Sequence, residues 1–206
     1  MWFIATILRM KTLDQELLNS IDDCIAAVKQ LSLPENINFI QEVSALIAQA
    51  YEKGNKVIVA GNGGSLCDAA HFTEELTGFF REKRPALPAI ALTDPGHITC
   101  VANDIGFESV FSRGIEAFGQ PGDIFVGLST SGNSPNILHA LKKAKEMQLT
   151  TVAFLGKDGG QALHLADYFL TITGFRYSDR IQEAHMAAIH LIIEQIETKI
   201  FTVSAV

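Results

Sequence analysis

Two pairs of side chains are spaced for proton or metal chemistry. His71 and Glu75 stand four residues apart in a helical stretch, so both face the same way. Glu74, beside them, points about 100° away and reads as solvent-facing. Gln182 and His190 lie two turns apart on a second helix; their angular drift of about 80° still lets them line one broad face. His185 falls between them. The four could converge on one metal ion or on one substrate. Zinc accepts His and Glu, but Gln is a poor ligand and no Cys joins the set, so spacing alone leaves a metal open. His97, His139 and His164 lack such partners and read as structural.

Two loops have a composition suited to an anion. Gly61-Asn62-Gly63-Gly64-Ser65 follows a strand, and its glycines permit positive φ and close approach of a ligand to the backbone. Ser65, with Asp68 three residues on, predicts a helix N-cap, where exposed amides favour negative charge. Such turns also arise for geometric reasons alone. Ser129-Thr130-Ser131-Gly132-Asn133-Ser134-Pro135 closes another strand. Ser134 and Pro135 predict the cap and first position of the next helix. One serine suffices as a cap, so four hydroxyls around a glycine favour a phosphate cradle. Neither loop is a nucleotide motif: no Lys completes a P-loop, and Leu66 replaces the third glycine of a dinucleotide fingerprint. No nucleotide cofactor is expected. Gly127-Leu128-Ser129-Thr130-Ser131 also fails the nucleophile-elbow pattern of serine hydrolases.

The elements that must position these residues alternate regularly. Helical spacing covers residues 11–31 through Leu13, Leu17, Leu18, Ile21, Ile25 and Val28. A second helix begins at Pro34 and stops at Gly54. Short apolar runs follow at 56–60, 89–92, 124–128, 151–155 and 168–172, separated by helical segments, and a long helix spans about 179–201. This pattern predicts an α/β sandwich: a five-stranded parallel sheet flanked by helices, with an N-terminal helical hairpin alongside. Ligands bind such sheets outside the carboxyl ends of the strands, where both loops fall.

The chain has 206 residues, 48% of them hydrophobic, with 16 Lys plus Arg against 23 Asp plus Glu and a net charge of −7. One domain is expected over residues 11–206, with residues 1–10 as an extension that does not read as a secretory signal. The acidic balance argues against nucleic acid as a partner, and no apolar run of about 20 residues suggests a membrane span. The Lys142, Lys143 and Lys145 group falls at a helix end, where it balances the dipole. Cys24, Cys67 and Cys100, without a C-x-x-C pair, fit reduced thiols in the cytoplasm.

The two loops, the His71-Phe72-Thr73-Glu74-Glu75-Leu76 run, Asn103-Asp104, Gly156-Lys157-Asp158-Gly159-Gly160 and Arg180-Ile181-Gln182-Glu183 together resemble the phosphoheptose isomerases of the sugar-isomerase (SIS) domain family. The resemblance extends from about residue 11 through nearly the whole chain. It implies the SIS sandwich, a cytoplasmic homotetramer with active sites between subunits, and a phosphorylated seven-carbon sugar as substrate. The implied reaction is aldose–ketose isomerisation of sedoheptulose 7-phosphate through an enediolate, supplying heptose for lipopolysaccharide core. Matched substrate contacts are Asn62, Gly63, Gly64, Glu75, Asn103, Asp104, Ser129, Thr130, Ser131, Ser134, Asp179 and Gln182. Glu75 and His190 match the acid/base pair, and His71, Glu75, Gln182 and His190 match a zinc site. The family's Gly-Arg after Glu-Leu-Thr is Gly78-Phe79 here, leaving Arg81 or Arg84 as stand-ins. The rivals are a non-catalytic SIS tetramer that associates with the replication initiator, against which Glu75 with His190 argues, and a sugar-phosphate sensor, which turnover of sedoheptulose 7-phosphate would exclude.

Overall fold

The computed structural model describes residues 2–201, with side chains from Asp14 onward. The first helix, α1 (Trp2–Lys29), begins earlier than the apolar spacing requires and takes in residues 2–10; the side chain of Leu13 lies outside the described residues. Pro34 opens α2 (Pro34–Glu52), where its missing N–H costs nothing. The chain leaves that helix through Gly54, whose φ of +80° suits only glycine well.

Five strands then alternate with helices: β1 (Val57–Gly61), α3 (Gly64–Thr77), β2 (Ala89–Ala91), α4 (Pro95–Asp104), α5 (Val110–Phe118), β3 (Ile124–Ser129), α6 (Pro135–Glu146), β4 (Thr150–Gly156), β5 (Tyr168–Ile172) and α7 (Ser178–Phe201). All strands are parallel, in the order β2-β1-β3-β4-β5. The chain steps outward from β1 to β2, then crosses back to β3. That reversal opens a crevice beyond the carboxyl ends of β1 and β3, and register puts Gly61 opposite Leu128. The two loops singled out above begin there.

Strand periodicity divides the core. Val57, Val59, Val126 and Phe154 face α2, α3 and α7, while Ile58, Ala60, Phe125 and Leu155 face α5 and α6. Because both faces are covered, each strand reads as a continuous apolar run. At the opposite end, Asp123 is buried and accepts hydrogen bonds from the Lys56 backbone (3.0 Å), Lys56 Nζ (2.5 Å) and the Gln120 backbone (2.9 Å). Burial alone would raise its pKa; these donors prevail and hold the carboxyl below its ordinary value. The pair pins β1 to β3, so the site loops start from a fixed register. α7 packs against α1, α2 and α3, bringing the second candidate helix beside the first.

The apolar stripe predicted on α1 is present but uncovered. Leu17, Leu18, Ile21 and Ile25 are exposed, as are Leu33 and Ile37 at the start of α2.

Candidate active site

Helical spacing places His71 and Glu75 one turn apart on α3, and α7 lies across that face. His71 Nε2 lies 3.0 Å from His190 Nε2 and 3.4 Å from Glu75 Oε1. One ligand-capable atom from each of the three falls within 4.8 Å of the others. A carboxylate and an imidazole from different helices therefore converge on a common point. The histidine contact requires one ring to donate its Nε2–H and the other to accept. Glu74 is exposed, as its helical angle predicts, and touches the far ring nitrogen, Nδ1 of His71, at 3.4 Å.

Nitrogen and oxygen ligands about 2.0–2.2 Å from a tetrahedral zinc stand about 3.3–3.5 Å from one another. Two imidazoles and a carboxylate are donors that zinc accepts; the 3.4 Å between His71 and Glu75 lies in that range, while the 3.0 Å between the two Nε2 atoms is a hydrogen-bond distance that widens slightly, with loss of the shared proton, when an ion is held. Gln182, two turns before His190, turns its amide to Ser65 Oγ (3.3 Å) and lies against the Gly64 backbone. It thereby joins α7 to the first loop.

The local start of α3 differs from the expectation. The N-cap is Gly63, at φ +57°, and the helix begins at Gly64. Glycine's freedom at positive φ starts the helix early, so Ser65 is inside it and its hydroxyl meets Gln182 instead of capping. Asn62 forms a reciprocal amide pair with the buried Asn136 of α6, at 2.9 Å in both directions. Asn136 carried no motif signal in the sequence.

In the second loop Ser134 is the N-cap and Pro135 the first helical residue, as expected. Its hydroxyl makes no cap bond and stands 3.1 Å from Ser129 Oγ. Ser131 Oγ accepts from the Asn133 backbone (3.2 Å), and Thr130 donates to Ser178 Oγ (3.0 Å) at the start of α7. Gly132 has φ +64°, and a Cβ there would overlap the carbonyl of Gly159. The Gly156–Gly160 segment thus braces the hydroxyl loop from behind. Asn133 completes the brace, donating to the Ser131 carbonyl (2.9 Å) and accepting from Gln161 N–H (3.1 Å). Asp179 is exposed at the first turn of α7 and pairs with Arg180 at 3.3 Å.

Asn103 and Asp104 end α4. They are exposed and bond to each other (2.7 Å), with Cys100 Sγ 3.5 Å from Asp104; none of their hydrogen bonds reaches the two loops or the His71 cluster. His97 binds the Val110 carbonyl (2.9 Å), the structural use expected of it. His185 is fully buried, with Nε2 at 2.9 Å from the Leu155 carbonyl, where it donates, and Nδ1 without a partner among the described residues. Burial depresses its pKa to about 4 against a weaker opposing effect of the Leu155 bond. Asp68, a turn before His71, has an inaccessible Oδ2 that also lacks a partner among the described residues. Burial lifts its carboxyl to about 6, with His71 pulling the other way.

Neither arginine suggested as a stand-in beside Phe79 is free. Arg81 pairs with Glu194 at 3.0 Å, and the Arg84 side chain, 4% exposed, pairs with Glu197 at 2.6 Å.

Comparison with known proteins gives a consistent outcome. The SIS domain pattern matches residues 21–156. The chain is 55% identical over 161 residues to the phosphoheptose isomerase of Fusobacterium nucleatum subsp. nucleatum, covering 78% of this chain and 82% of that one. It is 55% identical over 163 residues to the enzyme of that name from Haemophilus ducreyi, covering 79% and 84%. The solved phosphoheptose isomerase of Neisseria gonorrhoeae superposes with a TM-score of 0.83 at 35% identity, over 90% of this chain and 99% of that one.

Proposed function

Since the chain belongs to the SIS domain family and, within it, to the phosphoheptose isomerases, we propose that it interconverts sedoheptulose 7-phosphate and D-glycero-D-manno-heptose 7-phosphate, for heptose and lipopolysaccharide core precursors. The observation that carries the mechanism is the meeting of Glu75 and His190 within 4.8 Å.

Aldose–ketose isomerisation moves hydrogen between C1 and C2. In the ketose-to-aldose direction Glu75 removes a proton from C1 as the C2 oxygen gains one, giving the enediol. The O1 proton then leaves as C2 is protonated, and the carbonyl ends on C1. His190 serves the oxygens, because an imidazole both donates and accepts near neutral pH. His71 orients His190 through their shared contact. The phosphate seats on Ser129, Thr130, Ser131 and Ser134 with the amides at the start of α6, while Asn62, Gly63 and Gly64 line the sugar's path. Gln182 and Asp179 contact the sugar from α7.

His71, Glu75 and His190 would hold zinc, with Gln182 as a further ligand from the family resemblance. When bound, the ion supplies Lewis-acid stabilisation of the enediolate oxygens. Zinc titrated into chelator-stripped protein should bind, and His71→Ala should weaken that binding strongly; equal affinity in both would remove the site.

The working unit is a homotetramer with active sites between subunits. Support comes from the uncovered stripe of Leu17, Leu18, Ile21 and Ile25, which a neighbouring copy would bury. Asn103 and Asp104, exposed and without a hydrogen bond to their own cluster, would then serve a neighbour's sugar. A monomeric mass in solution would defeat this assembly. Its action lies in the cytoplasm, as the family resemblance implies; no helix among the described residues is long and apolar enough to cross a membrane.

The deciding experiment is incubation of the purified protein with sedoheptulose 7-phosphate. The aldose 7-phosphate should accumulate to a fixed ratio, and no product would refute the assignment.

A further inference from the structure

The segment between α3 and β2 forms a strap along one face of α7. Phe80 stacks on His190, with ring centroids 5.5 Å apart and planes 25° from parallel. Arg81 lies 5.1 Å from the centre of the Phe80 ring and is tied to Glu194. Arg84 is tied to Glu197 and also donates to the carbonyls of Glu75 (2.6 Å), Leu76 (2.8 Å) and Gly78 (3.2 Å). The α7 positions reached are 190, 194 and 197, a single helical face. The strap is therefore anchored at its far end to the helix that carries Glu75, and its near end lies flat on His190.

We propose that Phe80 is a positioning residue for His190. An imidazole on a helix turns about two side-chain bonds, and the bond to the ring is a soft rotor. His71 fixes the direction of Nε2 at one edge, but a single edge contact leaves the ring plane free. Phe80 supplies the missing constraint, since rotating the imidazole out of plane forfeits the stack. Arg81, held by Glu194, steadies the Phe80 ring in turn. The flat ring is what matters here. A branched aliphatic side chain of similar bulk would fill the space without selecting an orientation.

The inference rests on the isomerase reading above. Phe80→Leu should lower kcat about tenfold or more, the scale of a small misplacement of a reacting group, with KM changed less than about twofold. Phe80→Tyr, which keeps the ring, should restore kcat. In the ligand-free protein, the His190 ring signals (assigned by their loss in His190→Gln) should be displaced by the Phe80 ring current, and Phe80→Leu should remove that displacement. A Phe80→Leu protein with wild-type kcat, or one whose KM rises in step with the fall in kcat, overturns the proposal. So does a His190 signal that is the same in both proteins. An inactive wild-type protein would instead defeat the isomerase reading, while the ring signal would still decide whether Phe80 orients His190.

Discussion

At the scale of single residues, the proposed site divides into groups assigned the chemistry and groups that hold them. His71, Glu75 and His190 were legible because helical spacing is arithmetic, and a four-residue gap puts two side chains on one face wherever the helix packs. The four hydroxyls of the second loop were legible because they exceed what a turn needs. Ser131 is the one most firmly aimed, its Oγ set by the Asn133 amide and its carbonyl by the Asn133 side chain. Ser131→Ala should raise KM for the sugar phosphate about tenfold or more, about 1.5 kcal/mol or above for one hydrogen bond to a charged group, and leave kcat nearly unchanged. Steady-state kinetics checks this; an unaltered KM would take Ser131 out of the cradle. Asn136 and Phe80 gave no signal in the sequence, because their roles depend on neighbours far along the chain.

Among the elements, the strands were legible as apolar runs and their ends were placed within one or two residues. The start of α3 was read two residues late, since a serine with an acid three residues on imitates a cap, whereas the positive φ of Gly63 decides the entry. The strap left no trace in periodicity, being neither helix nor strand. Its anchor makes a prediction about stability. The Arg84 side chain is 4% exposed and that of its partner Glu197 15%, so Arg84→Met leaves a largely buried carboxylate unpaired and takes a donor from the Glu75 carbonyl. Denaturant unfolding should show a loss of about 3 kcal/mol or more. A loss below about 1 kcal/mol would mean that the pair is no better than a surface contact.

For the whole molecule, the sheet order follows from the alternation of strand and helix, and the crevice at β1 and β3 follows from that order. The α1 stripe is left without cover by its own chain, and the proposed tetramer would bury it. The folded state also carries a titration signature. His185 is depressed to about 4 from its ordinary 6.5. Its unfolded counterpart therefore takes up a proton first as pH falls, so stability is full above pH 6.5 and is lost from there toward about pH 4. Relative to His185→Leu, the wild-type protein should lose stability steadily across that window by denaturant titration. A gap between the two that does not vary with pH would show that the buried imidazole is not the group responsible.

Glu75 and His190 provide the most direct test, because every other assignment only places a sugar between them. Their kcat on sedoheptulose 7-phosphate should fall at least about a hundredfold in Glu75→Gln and in His190→Gln, the scale of lost acid–base catalysis, with thermal unfolding unchanged. Near-normal turnover in either variant would contradict the account.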